Sequence, residues 1–201
     1  FLISPTDKGG HLHSPSARLL ELCEPLHPIV FNDLFCLSDP RVHTISVGAA
    51  RPSDLDLHLQ ALELLEQAPE LVGPIAQRLQ QGLSERLGED WLQSWQEGLP
   101  SWNDTPGDIN LPVLLWLHTL LQGWDLESFA QARYGLLGNG SHWFPGRNAN
   151  RFEAGPSEPA AVSEAQLLEV LSASPWQQQI PGILRQMKAR LGQKTVKRLG
   201  P

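Results

Sequence analysis

The stretch His43-Thr-Ile-Ser-Val-Gly48-Ala-Ala-Arg51-Pro-Ser53-Asp-Leu-Asp-Leu-His-Leu-Gln-Ala-Leu62 carries the strongest structural signal in the chain. Its β-branched start predicts a strand over 43–48, and a glycine turn then leads into a helix predicted over 53–66. Ser53 is the predicted N-cap of that helix. Three leucines at helical spacing are predicted to face the core, namely Leu55, Leu59 and Leu62. The stretch therefore predicts one unit of strand, turn and helix.

The residues before this stretch repeat the same order. Phe1-Leu-Ile-Ser4 is predicted to be a strand already in progress, so we expect missing neighbouring strands, and helices are predicted over 17–23 and 29–37. Strands separated by helices of this length pair in parallel, in a sheet covered on both faces or closed as a barrel. The first part of the chain is therefore predicted to be an α/β structure.

Two loops follow the predicted strands at what would be one edge of the sheet. In the first loop, Ser4 and Thr6 offer hydroxyl groups. Gly9 allows the backbone to approach a ligand closely, and the positive charge of Lys8 could bind a phosphate. Taken alone, this loop is explained better by an ordinary turn with a solvated lysine.

The second loop contains Gly48, Ala49 and Arg51 and runs into the N-terminus of the predicted helix. Unpaired N–H groups and the helix dipole favour an anion there, and Arg51 adds a cation. Ligands bind at the carboxyl edge of parallel sheets, so the two loops together predict a phosphate-binding edge.

No strand pattern appears after residue 70, and the rest of the chain is predicted to be helical. We therefore predict two domains, 1–70 and 71–201. All seven tryptophans lie in the second of them, where core packing is their usual role. The predicted helices of this region span 73–87, 89–97, 112–122, 126–137, 163–171 and 180–191.

Composition excludes several classes of protein. A net charge of -7 argues against general nucleic-acid binding. Two cysteines, Cys23 and Cys36, are too few for a disulfide framework, and no apolar run is long enough to span a membrane. We expect a cytoplasmic protein with no membrane or nucleic-acid partner.

The two loops resemble the cofactor-binding loops of aldo/keto reductases. Ser4-Pro-Thr-Asp-Lys-Gly9 is similar to the family's loop around the cofactor pyrophosphate, and the segment from Gly48 to Leu59 is similar to the one that holds the adenosine end. The resemblance implies the last two βα units of a (β/α)8 TIM barrel followed by an all-helical C-terminal extension. It also implies NAD(P)H as cofactor and a small carbonyl compound as substrate. The implied cofactor-binding residues are Ser4, Thr6, Lys8, Gly9, Gly48, Ala49, Arg51 and His58.

This chain departs from the family pattern at four positions, the first of which is Thr6 in place of the usual Leu. Leu57 and His58 stand where a Glu-Asn pair commonly contacts adenine, and Asp54 stands where NADPH-preferring members often carry Arg. A carboxylate there would repel a 2'-phosphate, so the choice between NADH and NADPH stays open.

The helical part resembles the C-terminal extension of a subgroup of the same family, through Arg133-Tyr-Gly-Leu-Leu137 and Gly140-Ser-His-Trp-Phe-Pro-Gly146. That subgroup carries a ferredoxin-like cluster motif, and the corresponding region near 91–112 is degenerate here. The chain has no cysteine after Cys36, so we expect no iron–sulfur cluster and no other metal site.

Catalysis in the family, by resemblance, needs a Tyr tuned by Lys, Asp and His, and these four residues are expected upstream of the chain. Tyr134, the single tyrosine, is predicted to pack. We therefore expect a catalytically incomplete part of a carbonyl reductase with no catalytic residue of its own. The alternative is a non-catalytic helical protein-interaction module, and the oligomeric state stays open.

Overall fold

The computed structural model describes residues 1–6, 11–49, 51–139, 144–155 and 161–192. Of these residues, 62% are helical. The chain divides into two compact units, the first made of residues 1–86 and 123–126 and the second of residues 87–122 and 127–201.

The first unit contains two short strands and four helices, the last of which leaves the unit after Arg86. The strands β1 (Leu2–Ile3) and β2 (Ile45–Ser46) pair in parallel, with Leu2 opposite Ile45 and Ile3 opposite Ser46. The helices are α1 (Ala17–Cys23), α2 (Pro28–Leu37), α3 (Asp56–Glu63) and α4 (Ala68–Leu87). Short 3-10 turns at Pro52–Leu55 and Leu65–Gln67 flank α3.

Local sequence explains where the first two helices begin. The Ser16 hydroxyl accepts a hydrogen bond from the Leu19 amide at 3.0 Å, which caps α1. Pro28 occupies the first turn of α2, where its missing N–H costs nothing. The helix α2 then supplies the centre of the core, because Ile29, Val30 and Leu34 have no exposed surface.

The predicted fold class is wrong. The chain is mostly helical, and its described sheet has two strands of two residues each instead of two βα units of a TIM barrel with a helical extension. Barrel strands are covered on both faces, whereas Phe1 and Ile3 are 73% and 72% exposed here. With no further strand among the described residues to pair with or cover it, the sheet ends after two residues.

The predicted core face of α3 is also wrong. Leu55, Leu59 and Leu62 are 43%, 57% and 57% exposed, and the buried residues of the helix are His58 and Ala61. The predicted N-cap is displaced as well, because the turn before α3 begins after Arg51.

The second unit is helical in its described part, apart from two isolated parallel bridges, Ile109 with Arg147 and Phe152 with Val162. Its helices are α5 (Glu89–Ser94), α6 (Leu111–Trp124, within this unit to Gln122), α7 (Glu127–Leu136), α8 (Glu164–Val170) and α9 (Ile180–Leu191). The 3-10 turns are Trp102–Asp104, Pro106–Asp108 and Ala149–Arg151. The largest side chains with under 2% exposure in this unit are Ile109, Leu111, Leu114, Leu115, Leu117, Leu121, Tyr134, Phe152 and Leu167.

Tryptophans pack in the region where the sequence resembles a degenerate ferredoxin-like motif. Trp91 is 4% exposed, donates from Nε1 to the Thr119 hydroxyl at 2.9 Å, and contacts the Trp176 ring edge-on at 5.1 Å between centroids. Trp95 stacks on Trp91 at 6.4 Å. No helix in the described part of the chain is both long and apolar enough to cross a membrane.

Candidate functional site

The parallel pairing of β1 and β2 brings the two predicted loops to the same edge of the sheet. The Ser4 amide donates to the Ser46 carbonyl at 2.7 Å, so the segments that follow β1 and β2 leave the sheet side by side. His13 lies further along the first loop, and its Nε2 is 3.4 Å from the Gly48 carbonyl oxygen. The structure therefore joins the first loop to the second, through Ser4 and His13.

Several of the predicted cofactor residues surround this edge. Gly48 and Ala49 are exposed, and no atom lies within 4 Å of the position that a Cβ on Gly48 would take, so its backbone is open to a ligand. Thr6 is fully buried and has no hydrogen-bond partner for its hydroxyl among the described residues. Lys8 and Gly9 lie outside the described residues.

Arg51 is held by a carboxylate of its own chain. Its guanidinium contacts Asp54 at 2.9 Å, and its backbone N–H donates to the same carboxylate at 3.0 Å. Asp54 is 8% exposed. Its carboxylate occupies the start of the helical segment, the place where the sequence predicted a bound anion. No hydrogen bond between described residues links Arg51 to Ser4, Thr6 or His58.

His58 forms a buried pair with a residue that the sequence did not single out. Its Nδ1 contacts the Oδ2 of Asp33 on α2, and the two residues are 8% and 1% exposed. Nε2 of His58 is buried and has no partner among the described atoms. The His13 ring meets the His58 ring edge-on, with 6.2 Å between centroids. Through His13, the structure thus connects His58 to the Gly48 loop.

Burial dominates the electrostatics of this pair. It raises the pKa of the Asp33 carboxyl, against the opposing effects of the hydrogen bond from His58 and of its charge. The pKa of the Cys36 thiol is raised by burial and then by the nearby Asp33 charge. Burial lowers the pKa of His27, and the His13 charge lowers it further. The surroundings of Asp33, Cys36 and His27 are therefore desolvated, and charge there is costly.

A cavity of about 270 Å³ lies beside the pair. Asp33 and His58 line it together with His43, Thr44 and the apolar side chains of Val47 and Leu62. A carboxylate that holds an imidazole in one tautomer is an arrangement suited to general acid–base work or to directional hydrogen bonding.

Sequence reasoning missed Asp33 and the contact of His13 with His58. The signal for Asp33 was present, because a carboxylate within the apolar run Ile29-Val-Phe-Asn-Asp-Leu34 must be buried and partnered. The signal for its partner was absent, since the two residues are 25 positions apart.

Tyr134 packs in the second unit. It is 1% exposed, its hydroxyl donates to Asn150 Oδ1 at 2.7 Å, and burial raises its pKa. A tyrosine that serves as a general acid near neutral pH needs the opposite shift. No cluster of three or more His, Cys, Asp or Glu suited to a metal ion occurs among the described residues.

Comparison of the chain with protein-family models, with curated proteins and with solved structures found no match in any of the three.

Proposed function

We propose that this chain contributes the dinucleotide-binding loops of an NAD(P)H-dependent oxidoreductase of the aldo/keto reductase type, acting on carbonyl or alcohol substrates. The chemistry itself would come from an acid–base set outside this chain. The reaction belongs in the cytoplasm on this proposal, since Cys23 and Cys36 are both free thiols.

One observation carries the proposal. The Ser4 to Ser46 hydrogen bond continues the parallel register, and it brings the two loops that resemble the pyrophosphate and adenosine loops to a single edge. Loops at the carboxyl edge of parallel strands are the usual place for a nucleotide ligand. The exposed backbone at Gly48 adds polar groups at that edge.

The arrangement of Arg51 and Asp54 bears on the choice of cofactor. A 2'-phosphate near Arg51 would have to compete with the Asp54 carboxylate, which holds the guanidinium at 2.9 Å and repels a second anion. NADH is therefore expected to bind at least as tightly as NADPH. Replacing Asp54 with Asn removes the competing charge and should shift the preference toward NADPH.

The test is a fluorescence titration of the full chain with NADH and with NADPH. Arg51→Ala should weaken NADPH binding, and Asp54→Asn should strengthen it relative to NADH. Arg41→Ala is the matched control, because Arg41 is another exposed arginine of the same unit paired with an aspartate, Asp39. Absence of saturable binding by the folded chain would contradict the proposal, and so would equal losses in the two arginine variants.

A second candidate function, a helical protein-interaction module, is favoured by the exposed leucines of the α3 region. Leu55, Leu59, Leu62 and Leu65 are all at least 38% exposed although the opposite face of the helix is buried. Exposed apolar stripes of this kind often bind other proteins. If this function holds, Leu59→Gln should abolish partner binding while leaving NADH binding unchanged.

A further inference from the structure

A polar cavity of about 260 Å³ lies in the second unit, beyond the C-terminal end of α7. Its walls come from the turn after the helix and from the segment that contains the last 3-10 turn. The residues that matter for its chemistry are Gly138, Asn139, Arg147, Asn148, Asn150 and Arg151. None of its described lining residues is an aspartate or a glutamate.

The backbone holds Arg147 firmly at this cavity. Its N–H donates to the Asp108 carbonyl at 2.7 Å, and its carbonyl accepts from the Asn110 amide at 2.9 Å. The side chain runs along Gly138, where an added Cβ would lie 3.7 Å from Cγ and from Nη1 of the arginine. Gly138 has a φ of 91°, a conformation that glycine adopts without strain.

Asn148 builds the other wall. Its Nδ2 donates to the carbonyls of Tyr134 and Leu137 at 3.2 and 3.4 Å, and its Oδ1 accepts from the Asn150 amide at 3.1 Å. The hydrogen bond from the Asn150 amide to Asn148 Oδ1 caps the 3-10 turn Ala149–Arg151, and this turn positions Arg151. Both arginines therefore leave well-anchored backbone.

The two guanidinium groups have no compensating charge in the described part of the chain. Neither Arg147 nor Arg151 makes a side-chain hydrogen bond or an ion pair with a described residue, and both are half-buried. Other arginines of the unit are paired, since Arg185 contacts Glu153 and Glu164, and Arg190 contacts Glu127. In a protein with a net charge of -7, two unpaired arginines at one cavity need an explanation.

Stabilisation of the α7 helix dipole does not explain the two unpaired arginines. Cations near a helix C-terminus interact favourably with its last carbonyls. At α7 those carbonyls are bound by the amide of Asn148 and by Asn139, whose Nδ2 donates to the Gly135 carbonyl, and not by either guanidinium. The helix end is therefore already capped, and the planar donors of both arginines are left for another acceptor.

We propose that this cavity binds the phosphoryl group of a small phosphorylated compound. A guanidinium presents paired N–H donors that match phosphate oxygens, and two of them can neutralise a phosphate dianion. The absence of a carboxylate in the described lining leaves this attraction unopposed. The site belongs to the second unit and to residues that play no part in the dinucleotide proposal, so each proposal can fail alone.

The test is isothermal titration of the full chain with inorganic phosphate and, separately, with phenyl phosphate. Arg147→Gln and Arg151→Gln should each weaken binding about tenfold or more, as expected for loss of a charge-assisted hydrogen bond. Arg190→Gln is the matched control and should change nothing, because Arg190 is an exposed arginine of the same unit that is paired with Glu127. Tighter binding of phenyl phosphate would identify a phosphate ester as the ligand, whereas equal affinities would identify free phosphate.

The variant Arg147→Lys separates a loss of phosphate binding from a loss of folding. It keeps the charge and removes the paired donors, so it should give an intermediate affinity with an unchanged circular dichroism spectrum. Two results would overturn the proposal. One is a folded wild-type chain that binds neither probe at millimolar concentration, and the other is an equal loss of affinity in the Arg190→Gln control.

Discussion

The imidazole Nδ1 of His58 lies against Oδ2 of Asp33, and this pair joins helices α2 and α3 inside the first unit. Burying an imidazole opposite a carboxylate turns the His58 and Ala61 face of α3 inward. The leucine stripe on the other side of the helix is left in water. This polar contact thus helps to orient the helix, together with Ala61 and the partly buried Leu57, which pack against the same core.

Removal of Asp33 should destabilise the first unit. Asp33→Ala leaves His58 Nδ1 buried without a partner, and breaking a buried pair in this way costs about 3 kcal/mol in the free energy of unfolding. Urea denaturation followed by circular dichroism measures the cost. Asp39→Ala is the control, because its ion pair with Arg41 is exposed and screened by solvent, so its loss should cost much less than the loss of Asp33. Equal costs in the two variants would contradict the role of the buried pair.

His118 should make the second unit sensitive to acid. Burial lowers its pKa to about 4, from the 6.5 that is usual for histidine. Between these values the unfolded chain binds a proton that the folded chain does not, so stability is present above pH 6.5 and falls as the pH drops toward 4. The total loss is on the order of 3 kcal/mol.

Urea midpoints between neutral pH and pH 4 measure this dependence. His118→Phe keeps an aromatic ring beside Trp91, 5.5 Å away between centroids, and should flatten the pH profile. Substitution of an exposed histidine, His43→Gln, should leave the slope as it is in the wild type. An unchanged slope in His118→Phe would show that His118 is not the responsible group.

Gly98 should not tolerate a side chain. It has a φ of 66°, and a Cβ there would lie 2.2 Å from the carbonyl oxygen of Ala173. Gly98→Ala therefore combines backbone strain with a clash against backbone and should cost about 3 kcal/mol or more. Gly182→Ala in α9 is the control, because no atom lies within 4 Å of its added Cβ. That change should stabilise the helix by about 1 kcal/mol, and thermal melts of both variants test the contrast.

The exposed leucines of α3 should contribute little to folding. Leu59→Gln and Leu62→Gln are expected to change the free energy of unfolding by less than about 0.5 kcal/mol, as surface substitutions do. Leu34→Ala, at a position with no exposed surface, should cost about 2 to 5 kcal/mol. Chemical denaturation of the three variants gives the comparison. A large loss in Leu59→Gln would mean that the leucine face is buried against something in solution.

Local structure was predictable to the extent that local signals set it. The helices predicted over 17–23 and 180–191 have those bounds in the structure, and Ser163 caps α8 as the hydroxyl residue before an apolar run. Two short strands and their parallel direction also follow from the order of elements. The position of His58 next to a candidate site was predictable only through the resemblance of its segment to a cofactor loop.

The extent of the sheet could not be read in this way. A strand pattern reports that a segment is able to pair, whereas the sheet's size depends on how many distant segments do pair. The TIM-barrel prediction failed at this point, because β1 and β2 lie in segments with the composition of barrel strands but pair only with each other in the described part of the chain.

By itself the sequence determined the acidic charge of this protein and most of its helical segments, because a helix depends mainly on residues a few positions apart. Only the tertiary structure decided that α3 buries His58 while Leu55, Leu59 and Leu62 stay exposed, that Arg51 is paired with Asp54, and that Arg147 and Arg151 line one cavity. A helix with an apolar stripe can turn either face to its neighbour, and the choice depends on which buried polar group must be satisfied. For α3 that group is the Asp33 carboxylate, 25 residues earlier in the chain.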